Sequence, residues 1–338
     1  MERNNDTKIK NLISVAILLA GLFVGSLFVD VAQVVRGGGF SAKNMNKSDI
    51  FEANGKTWVA YGEPAMNVKV LSDDACVACD PSEVLVWFRR VLPTIAVEKV
   101  DANSQDGKYL ISKFGIKTLP AFIFDNNIDK TDFYAQANVL FDQKDASYVL
   151  KTQELGLEPG KYLQTPTIDE GDAVLGKADS VVKVIVFSDF QCPYCKLLWS
   201  TMRETMKTYG EKVLFAYKHL PLDSHVQANN AALAAACAQE QNKFWEFGDK
   251  LYASQAEWGK TTSIQKFKDY ARVLKLDVNK FNKCLDSKQY QSVIDANKIE
   301  ADSLGLSGTP AIFINDQLKN GVVNKDELQS IIDEKLGQ

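Results

Sequence analysis

The sequence predicts an α/β protein in which two similar α/β folds follow one another after an N-terminal membrane-spanning helix. Residues 12–29 form an uncharged apolar run that is long enough to cross a bilayer. Two Cys-X-X-Cys motifs, CVAC at 76–79 and CPYC at 192–195, each follow a strand-like pattern and precede a helical one. Each motif is followed downstream by an apolar strand that a proline opens, at Pro120 and at Pro310.

The apolar run predicts the topology of the chain. As a helix it would be roughly 27 Å long. The basic residues Arg3, Lys8 and Lys10 precede it, so the N-terminus should stay in the cytoplasm and the remainder should be exported. A cleaved signal peptide is the alternative, although the run is long for one and no A-x-A sequence follows it. In either case the cysteines would lie where disulfides persist.

Composition excludes several classes of function. The 338 residues carry a formal net charge of −4 and no basic cluster, which argues against a nucleic-acid partner. The two histidines leave little room for imidazole-based metal catalysis. A zinc ribbon would need its CxxC pairs closer together, and no histidine follows either motif as haem attachment would require. We therefore predict no metal and no cofactor.

The elements predict five regions along the chain. They are a cytoplasmic tip and anchor (1–35), a flexible tether (36–50), a first α/β domain (51–147), a surface linker (148–175) and a second domain (176–338) with a helical insertion at about 226–296. In the first domain, strands at 58–61 and 68–71, a helix at 82–92, a strand at 96–100 and a helix at 108–114 precede the proline-led strand.

Several motifs of the second domain resemble those of DsbA-like thiol–disulfide oxidoreductases. They are FSDFQCPYC at 187–195, KHLPL at 218–222, QNKFWE at 241–246 and GTP at 308–310. In the first domain, GIKTLPAF at 115–122 resembles the cis-proline segment of thioredoxin. The resemblance implies two tandem thioredoxin-like folds, the second with the helical insertion. It also implies that each proline is cis, faces its CxxC motif, and follows a residue whose backbone binds a substrate strand.

The CPYC motif predicts the main redox site. Pro193 suits the first turn of a helix, so the thiolate of Cys192 would lie at the positive end of the helix dipole. We predict Cys192 as the exposed nucleophile and Cys195 as the resolving thiol one turn inward. The resemblance adds Thr309 and Pro310 to the catalytic set. A static structural disulfide is the alternative.

The CVAC motif predicts a weaker site. Asp80 followed by Pro81 reads as a helix start, so Cys76 would lose part of the dipole stabilisation. Asp73, Asp74 and Asp80 would also raise the pKa of Cys76 by charge repulsion. Cys76 and Cys79, with Leu119 and Pro120, could form a redox relay or substrate site. A structural disulfide and a vestigial dithiol remain the alternatives.

The proton donor or acceptor for the inner thiol is not fixed by the sequence. Many thioredoxin-like enzymes have a buried acid six positions before the nucleophile, and this chain has Val186 there. Asp189, Lys218 and His219 are the candidates for proton transfer. For Asp189 the alternative is a solvated turn residue, and for His219 it is local packing.

Cys237 and Cys284 are predicted to form a structural disulfide in an exported protein. Their spacing also matches cysteines in some exported DsbA-like relatives. In a reducing compartment they would instead be inert core residues.

Together these features predict a single-pass cell-membrane enzyme whose main domains lie in the periplasm or at the cell surface. It would exchange disulfides with exported or unfolded cysteine-containing proteins, as an oxidase. By family analogy a membrane quinone-linked reoxidase would be its partner. Isomerase, reductase and electron relay between the two CxxC sites are alternative enzyme activities. A chaperone-like binding module with structural disulfides is the alternative from another class.

Overall fold

The computed structural model describes residues 48–53, 56–61 and 64–337. The predicted membrane helix, residues 12–29, and most of the predicted tether lie outside the described residues. Of the helices in the described part of the chain, none has the length and apolar character needed to cross a bilayer.

The described chain contains both strands and helices. The strands are β1 (Ser48–Ala53), β2 (Lys56–Tyr61), β3 (Met66–Ser72), β4 (Ile95–Asp101), β5 (Thr118–Leu119), β6 (Ala121–Asp125), β7 (Phe141–Lys144), β8 (Ser147–Leu150), β9 (Lys161–Tyr162), β10 (Ala173–Leu175), β11 (Val182–Ser188), β12 (Val213–His219), β13 (Ala311–Ile314) and β14 (Gln317–Asn320). The helices are α1 (Ser82–Val91), α2 (Gln105–Phe114), α3 (Asp132–Ala137), α4 (Pro193–Tyr209), α5 (Ala228–Gln239), α6 (Phe244–Ala253), α7 (Gln255–Trp258), α8 (Gln265–Val273), α9 (Val278–Asp286), α10 (Gln291–Ser303) and α11 (Lys325–Leu336).

Two five-stranded sheets organise these elements. One has the strand order β4-β3-β6-β8-β7, and the other has the order β10-β12-β11-β13-β14. In the second sheet β11 runs parallel to β12 and antiparallel to β13. Two smaller antiparallel pairs join β1 to β2 and β5 to β9. The fold of the described chain is therefore mixed α/β.

The described residues form two compact units. The first comprises the described part of 48–68 with Val84–Glu98 and Phe124–Tyr148. Its core is aromatic: edge-to-face ring contacts join Phe88 to Phe124 and Phe133 to Phe141. The second unit comprises Lys69–Glu83, Lys99–Ile123 and the chain from Val149 onward, and it contains both CxxC motifs.

The second unit is built around β11. Six of its seven residues are buried, because α4 and neighbouring helices cover one face of the sheet while α10 and the β9 region cover the other. Helices α5–α10 lie between β12 and β13, where the sequence predicted a helical insertion. Since β11 leads directly into the CPYC motif, its burial fixes the position of that motif.

The predicted linker, residues 148–175, is mostly exposed or partly exposed, but it also contributes buried residues to the fold. Tyr162 is buried and belongs to β9, which pairs with β5. Asp172 and Ala173 are buried as well. Tyr162 packs its ring edge against Phe313, so this segment adds to the core instead of only connecting two domains.

Candidate active site

Cys192 lies at the N-terminal cap of α4. Its backbone is extended, Pro193 opens the helix, and Cys195 lies in the first helical turn. This confirms the predicted helix start at the motif, where the unpaired backbone N–H groups favour a negative charge. Both cysteines are free thiols in the structure.

The pKa of Cys192 is lowered to about 5. The largest cause is a hydrogen bond from the Cys195 thiol, and further contributions come from the backbone N–H groups of Cys195 and Tyr194 and from the Thr309 side chain. Burial opposes the shift. As a thiol, Cys192 Sγ donates a hydrogen bond to the Thr309 carbonyl oxygen at 3.4 Å. The predicted residues Cys192, Cys195, Thr309 and Pro310 are thus brought together, and the Thr309-Pro310 peptide is cis.

The pKa of Cys195 is shifted in the opposite direction to that of Cys192. Burial raises the pKa of its thiol far above the usual range, and its hydrogen bond to Cys192 acts in the same direction. The backbone N–H of Asp189 lies 3.5 Å from Cys195 Sγ, and the Ser188 side chain is also within reach. Of the two thiols, Cys192 is therefore the one that ionises at neutral pH.

The predicted exposure of Cys192 was wrong, because only 3% of the residue is accessible. Gln255 in α7 binds the backbone at the start of the motif, its Nε2 donating to Phe190 O at 2.9 Å and to Cys192 O at 3.1 Å. Tyr194 and Leu197, in contrast, are exposed on the first turns of α4. The accessible surface of Cys192 is therefore small, and it lies beside exposed residues of the first turns of α4.

Asp189 is buried, so the solvated-turn alternative is wrong. Its carboxylate accepts hydrogen bonds from the backbone N–H groups of Gln191 (2.7 Å) and Leu222 (3.0 Å). It also lies 2.7 Å from His225 Nδ1. These contacts tie the loop before Cys192 to the end of β12, whereas the contact with Cys195 uses the backbone of Asp189. The geometry makes Asp189 a positioning residue for the CPYC loop.

Lys218 is fully buried within a group of acidic side chains. Its Nζ lies 2.8 Å from Asp172, 2.7 Å from Glu300 and 3.2 Å from Asp169. Although burial lowers the pKa of Lys218, hydrogen bonds to Asp172 and Glu300 outweigh it and raise the pKa. A lysine held charged in this way is a poor proton donor, so the geometry favours a structural role over the predicted proton transfer.

His219 is buried as well, and burial lowers its pKa from 6.5 to about 3. The imidazole is therefore neutral at physiological pH and does not carry a proton in the pH range that the predicted role requires. Its ring packs against Tyr217 and Phe244. This environment favours the packing alternative for His219.

Sequence reasoning missed three side chains around the motif: Gln255, Ser188 and Tyr252. Ser188 Oγ and Tyr252 OH are both buried and lie 3.0 Å apart, and Tyr252 OH donates to Asp189 O at 3.3 Å. Tyr252 and Gln255 lie about sixty residues beyond the motif, so local pattern carries no signal for these contacts. For Ser188, its place at the end of β11 beside the motif was the available signal.

Cys237 in α5 and Cys284 in α9 are joined by a disulfide in the structure. Both residues are buried, and the bond links two helices of the segment between β12 and β13. It closes a loop of 47 residues, a length for which a cross-link restricts the unfolded chain strongly.

The CVAC motif also contains a disulfide, between Cys76 and Cys79. Cys79 is buried and Cys76 is partly exposed. Residues Val77–Cys79 form a single 3-10 turn, and α1 begins only at Ser82, so Cys76 does not cap a long helix. The expected charge repulsion from Asp73 is offset, since Lys161 Nζ lies 2.8 Å from its carboxylate and lowers the pKa of Asp73.

The remaining predicted residues of the CVAC site are Leu119 and Pro120, whose peptide bond is cis. Leu119 packs in the same core cluster as Cys79. Its carbonyl oxygen accepts a hydrogen bond from Gly160 N at 2.9 Å.

Within the described residues, no group of three or more His, Cys, Asp or Glu side chains is arranged to hold a metal ion.

Comparison with known proteins agrees with the geometry of the CPYC site. The family model described as "Thioredoxin" matches residues 169–334. A Bacillus anthracis protein described as "Probable disulfide bond formation protein D" is 33% identical over 173 residues, which cover 48% of this chain and 77% of that protein. The chain belongs to the DsbA-like thiol–disulfide oxidoreductases.

Other relatives also match about half of this DsbA-like chain. The Na(+)/H(+) antiporter NhaA 3 of Salinispora tropica is 34% identical over 171 residues, which cover 50% of this chain and 26% of the antiporter. The chain thus spans about a quarter of the length of that relative. The crystal structure of oxidised BdbD from Bacillus subtilis has 25% identity and a TM-score of 0.46, covering 51% of this chain and 96% of BdbD.

Proposed function

We propose that this protein exchanges disulfides with cysteine-containing proteins through Cys192 and Cys195. The observation that carries the proposal is the contrast between the two thiols: the pKa of Cys192 is about 5, whereas burial raises that of Cys195. Such a pair supplies one stable thiolate and one inner thiol. The cis Thr309-Pro310 segment lies against Cys192, which supports a substrate backbone docking there.

In the oxidising direction the Cys192–Cys195 disulfide accepts two electrons. A substrate thiolate attacks Cys192 Sγ, the bond to Cys195 breaks, and Cys195 takes up a proton. A second substrate thiolate then attacks the substrate sulfur of the mixed disulfide and releases Cys192 as a thiolate. The products are an oxidised substrate and the reduced CPYC motif.

The lowered pKa of Cys192 supports the oxidase direction. A thiolate stabilised in the folded protein favours the reduced CPYC motif, and so makes its disulfide a stronger oxidant. The pKa of the Cys192 thiol is lower in the folded protein than in the unfolded chain. The thiolate therefore stabilises the reduced folded protein, and this stabilisation is fully present above the unfolded pKa of about 8.5. It is lost as the pH falls through about 5. Isomerase, reductase and electron relay between the CxxC sites remain the alternative activities.

We further propose that the protein is a single-pass membrane protein whose enzyme domains face the periplasm or the cell surface. The apolar run at 12–29 and the disulfide between Cys237 and Cys284 support an exported location. In this location a membrane quinone-linked reoxidase is the proposed partner that restores the CPYC disulfide. Two tandem thioredoxin-like folds, at 51–147 and 176–338, are the proposed domain plan, supported by two separate five-stranded sheets, β4-β3-β6-β8-β7 and β10-β12-β11-β13-β14.

Trapping tests the proposed exchange. In Cys195→Ser the resolving thiol is absent, so we expect Cys192 to accumulate mixed disulfides with cysteine-containing substrate proteins, detected on non-reducing gels and by mass spectrometry. Cys192→Ser/Cys195→Ser is the matched control and should accumulate none at this motif. For the parent CPYC pair, a reduction potential near −120 mV would support an oxidase and one near −270 mV a reductase. Failure of Cys195→Ser to form any mixed disulfide would support the binding-module alternative.

A further inference from the structure

Residues 160–163, here named the 160–163 segment, lie along the strand that precedes Pro120. Within this segment β9 pairs antiparallel with β5, so that Thr118 faces Tyr162 and Leu119 faces Lys161. Gly160 N donates to Leu119 O at 2.9 Å, and Leu163 N donates to Lys117 O at 2.9 Å. The segment therefore uses the backbone edge that an incoming extended peptide would need.

Gly160 also places this segment directly on the CVAC turn. A Cβ atom at residue 160 would lie 2.2 Å from Ala78 O and 2.7 Å from Cys79 N, and both neighbours are backbone atoms. No residue with a side chain fits there unless the segment or the turn moves. The close backbone approach, which glycine alone permits, leaves no room for a second chain between the segment and Cys79.

Side chains hold the segment in this position. Lys161 Nζ lies 2.8 Å from the buried carboxylate of Asp73 and 3.7 Å from that of Asp316. Tyr162 N donates to Asp316 O at 2.8 Å, and the Tyr162 ring lies 5.0 Å from that of Phe313. A strand held by ion pairing, backbone bonding and ring packing is a fixed part of the fold.

We propose that the 160–163 segment is a built-in occupant of the peptide-binding edge at the Cys76–Cys79 disulfide. Cys76 is partly exposed, whereas Cys79 is buried, so a small thiolate can still approach Cys76. Two small thiols then reduce the disulfide: the first thiolate bonds to Cys76 and releases Cys79, and the second displaces Cys76 to give a small-molecule disulfide and two protein thiols. An extended protein thiol is excluded until the segment is displaced.

The test compares two thiols of matched chemistry on the full chain in a Cys192→Ser/Cys195→Ser background. One probe is N-acetylcysteine amide, and the other is a short unstructured peptide with the same cysteine at its centre. Reduction of Cys76–Cys79 is followed by acid quench, alkylation and mass spectrometry. In the background protein we expect the small thiol to react at least about tenfold faster than the peptide, equivalent to about 1.4 kcal/mol in the barrier.

Gly160→Val pushes the segment away from Ala78 and should raise the peptide rate at least about tenfold, with the small-thiol rate changed less than about twofold. Lys161→Met removes the ion pair with Asp73 and so loosens the segment without a steric clash. It should also raise the peptide rate relative to the small-thiol rate, and it replaces Gly160→Val as the test if that variant does not fold. The matched control is Lys177→Met, which removes an exposed ion pair with Glu211. Equal rates for both thiols in the background protein, or an unchanged rate ratio in Lys161→Met, would overturn the proposal. Because Cys192 and Cys195 are absent, the result is independent of the function proposed for the CPYC site.

Discussion

Cys192→Ser is expected to lower the rate of substrate dithiol oxidation by at least about 10³-fold, because the hydroxyl cannot form the mixed disulfide. The loss follows from the division of roles between the two thiols, since Cys192 is the one with a lowered pKa and Cys195 is buried with a raised one. The measurement is the initial rate at which the oxidised full-length protein oxidises a peptide with two cysteines, followed by a change in peptide fluorescence.

The matched control for this experiment is Cys76→Ser/Cys79→Ser, which removes the other CxxC pair. It should retain the peptide oxidation rate within about twofold, because the 160–163 segment covers that disulfide. Folding of both variants is compared by thermal unfolding. Peptide oxidation at the parental rate in Cys192→Ser, or its loss only in Cys76→Ser/Cys79→Ser, would assign the exchange to the CVAC motif instead.

The second large effect concerns stability at Lys218. We expect Lys218→Met to lower the free energy of unfolding by about 3–5 kcal/mol, because removing one partner leaves buried carboxylates without a counter-charge. The side chain of Asp172 is fully buried and that of Glu300 is 18% exposed, so neither can regain full hydration. The midpoint and slope of urea unfolding give the change directly.

Lys298→Met provides the control for Lys218→Met. Lys298 pairs with Asp223, a side chain that is 96% exposed, and such surface pairs contribute at most about 1 kcal/mol. If Lys218→Met were as stable as Lys298→Met, the buried carboxylates would have to be protonated or hydrated in the parent protein, and the described role of Lys218 would be wrong.

Sequence patterns correctly predicted the parts of the site that are determined by residues adjacent in the sequence. A proline after the first cysteine indicated that α4 starts at Cys192, and a proline at 81 indicated that α1 starts beyond Cys79. In both cases the constraint is the fixed backbone angle and missing N–H of proline, which act within one turn. The mixed α/β alternation followed from hydrophobic periodicity in the same way.

Contacts between distant segments could not be predicted. Gln255 binds the backbone around Cys192 from 63 residues away, and Lys161 reaches Asp73 across 88 residues. A polar side chain in a surface-like sequence gives no sign of its partner until the chain is folded. For that reason the sequence favoured an exposed Cys192, which the structure buries, and gave no sign that Tyr162 within the predicted linker is buried.

The pH dependence of Cys192 alkylation tests the central claim most directly. Iodoacetamide is reacted with the reduced full-length protein across the pH range, and modification of residue 192 is quantified by mass spectrometry, with Cys195→Ala as a second sample. The account predicts a rate that reaches half its maximum near pH 5 in the parent protein and at a higher pH in Cys195→Ala, because the Cys195 thiol donates the main stabilising hydrogen bond and alanine has no donor. A midpoint near 8.5 in both samples, the value of an ordinary cysteine, would contradict it.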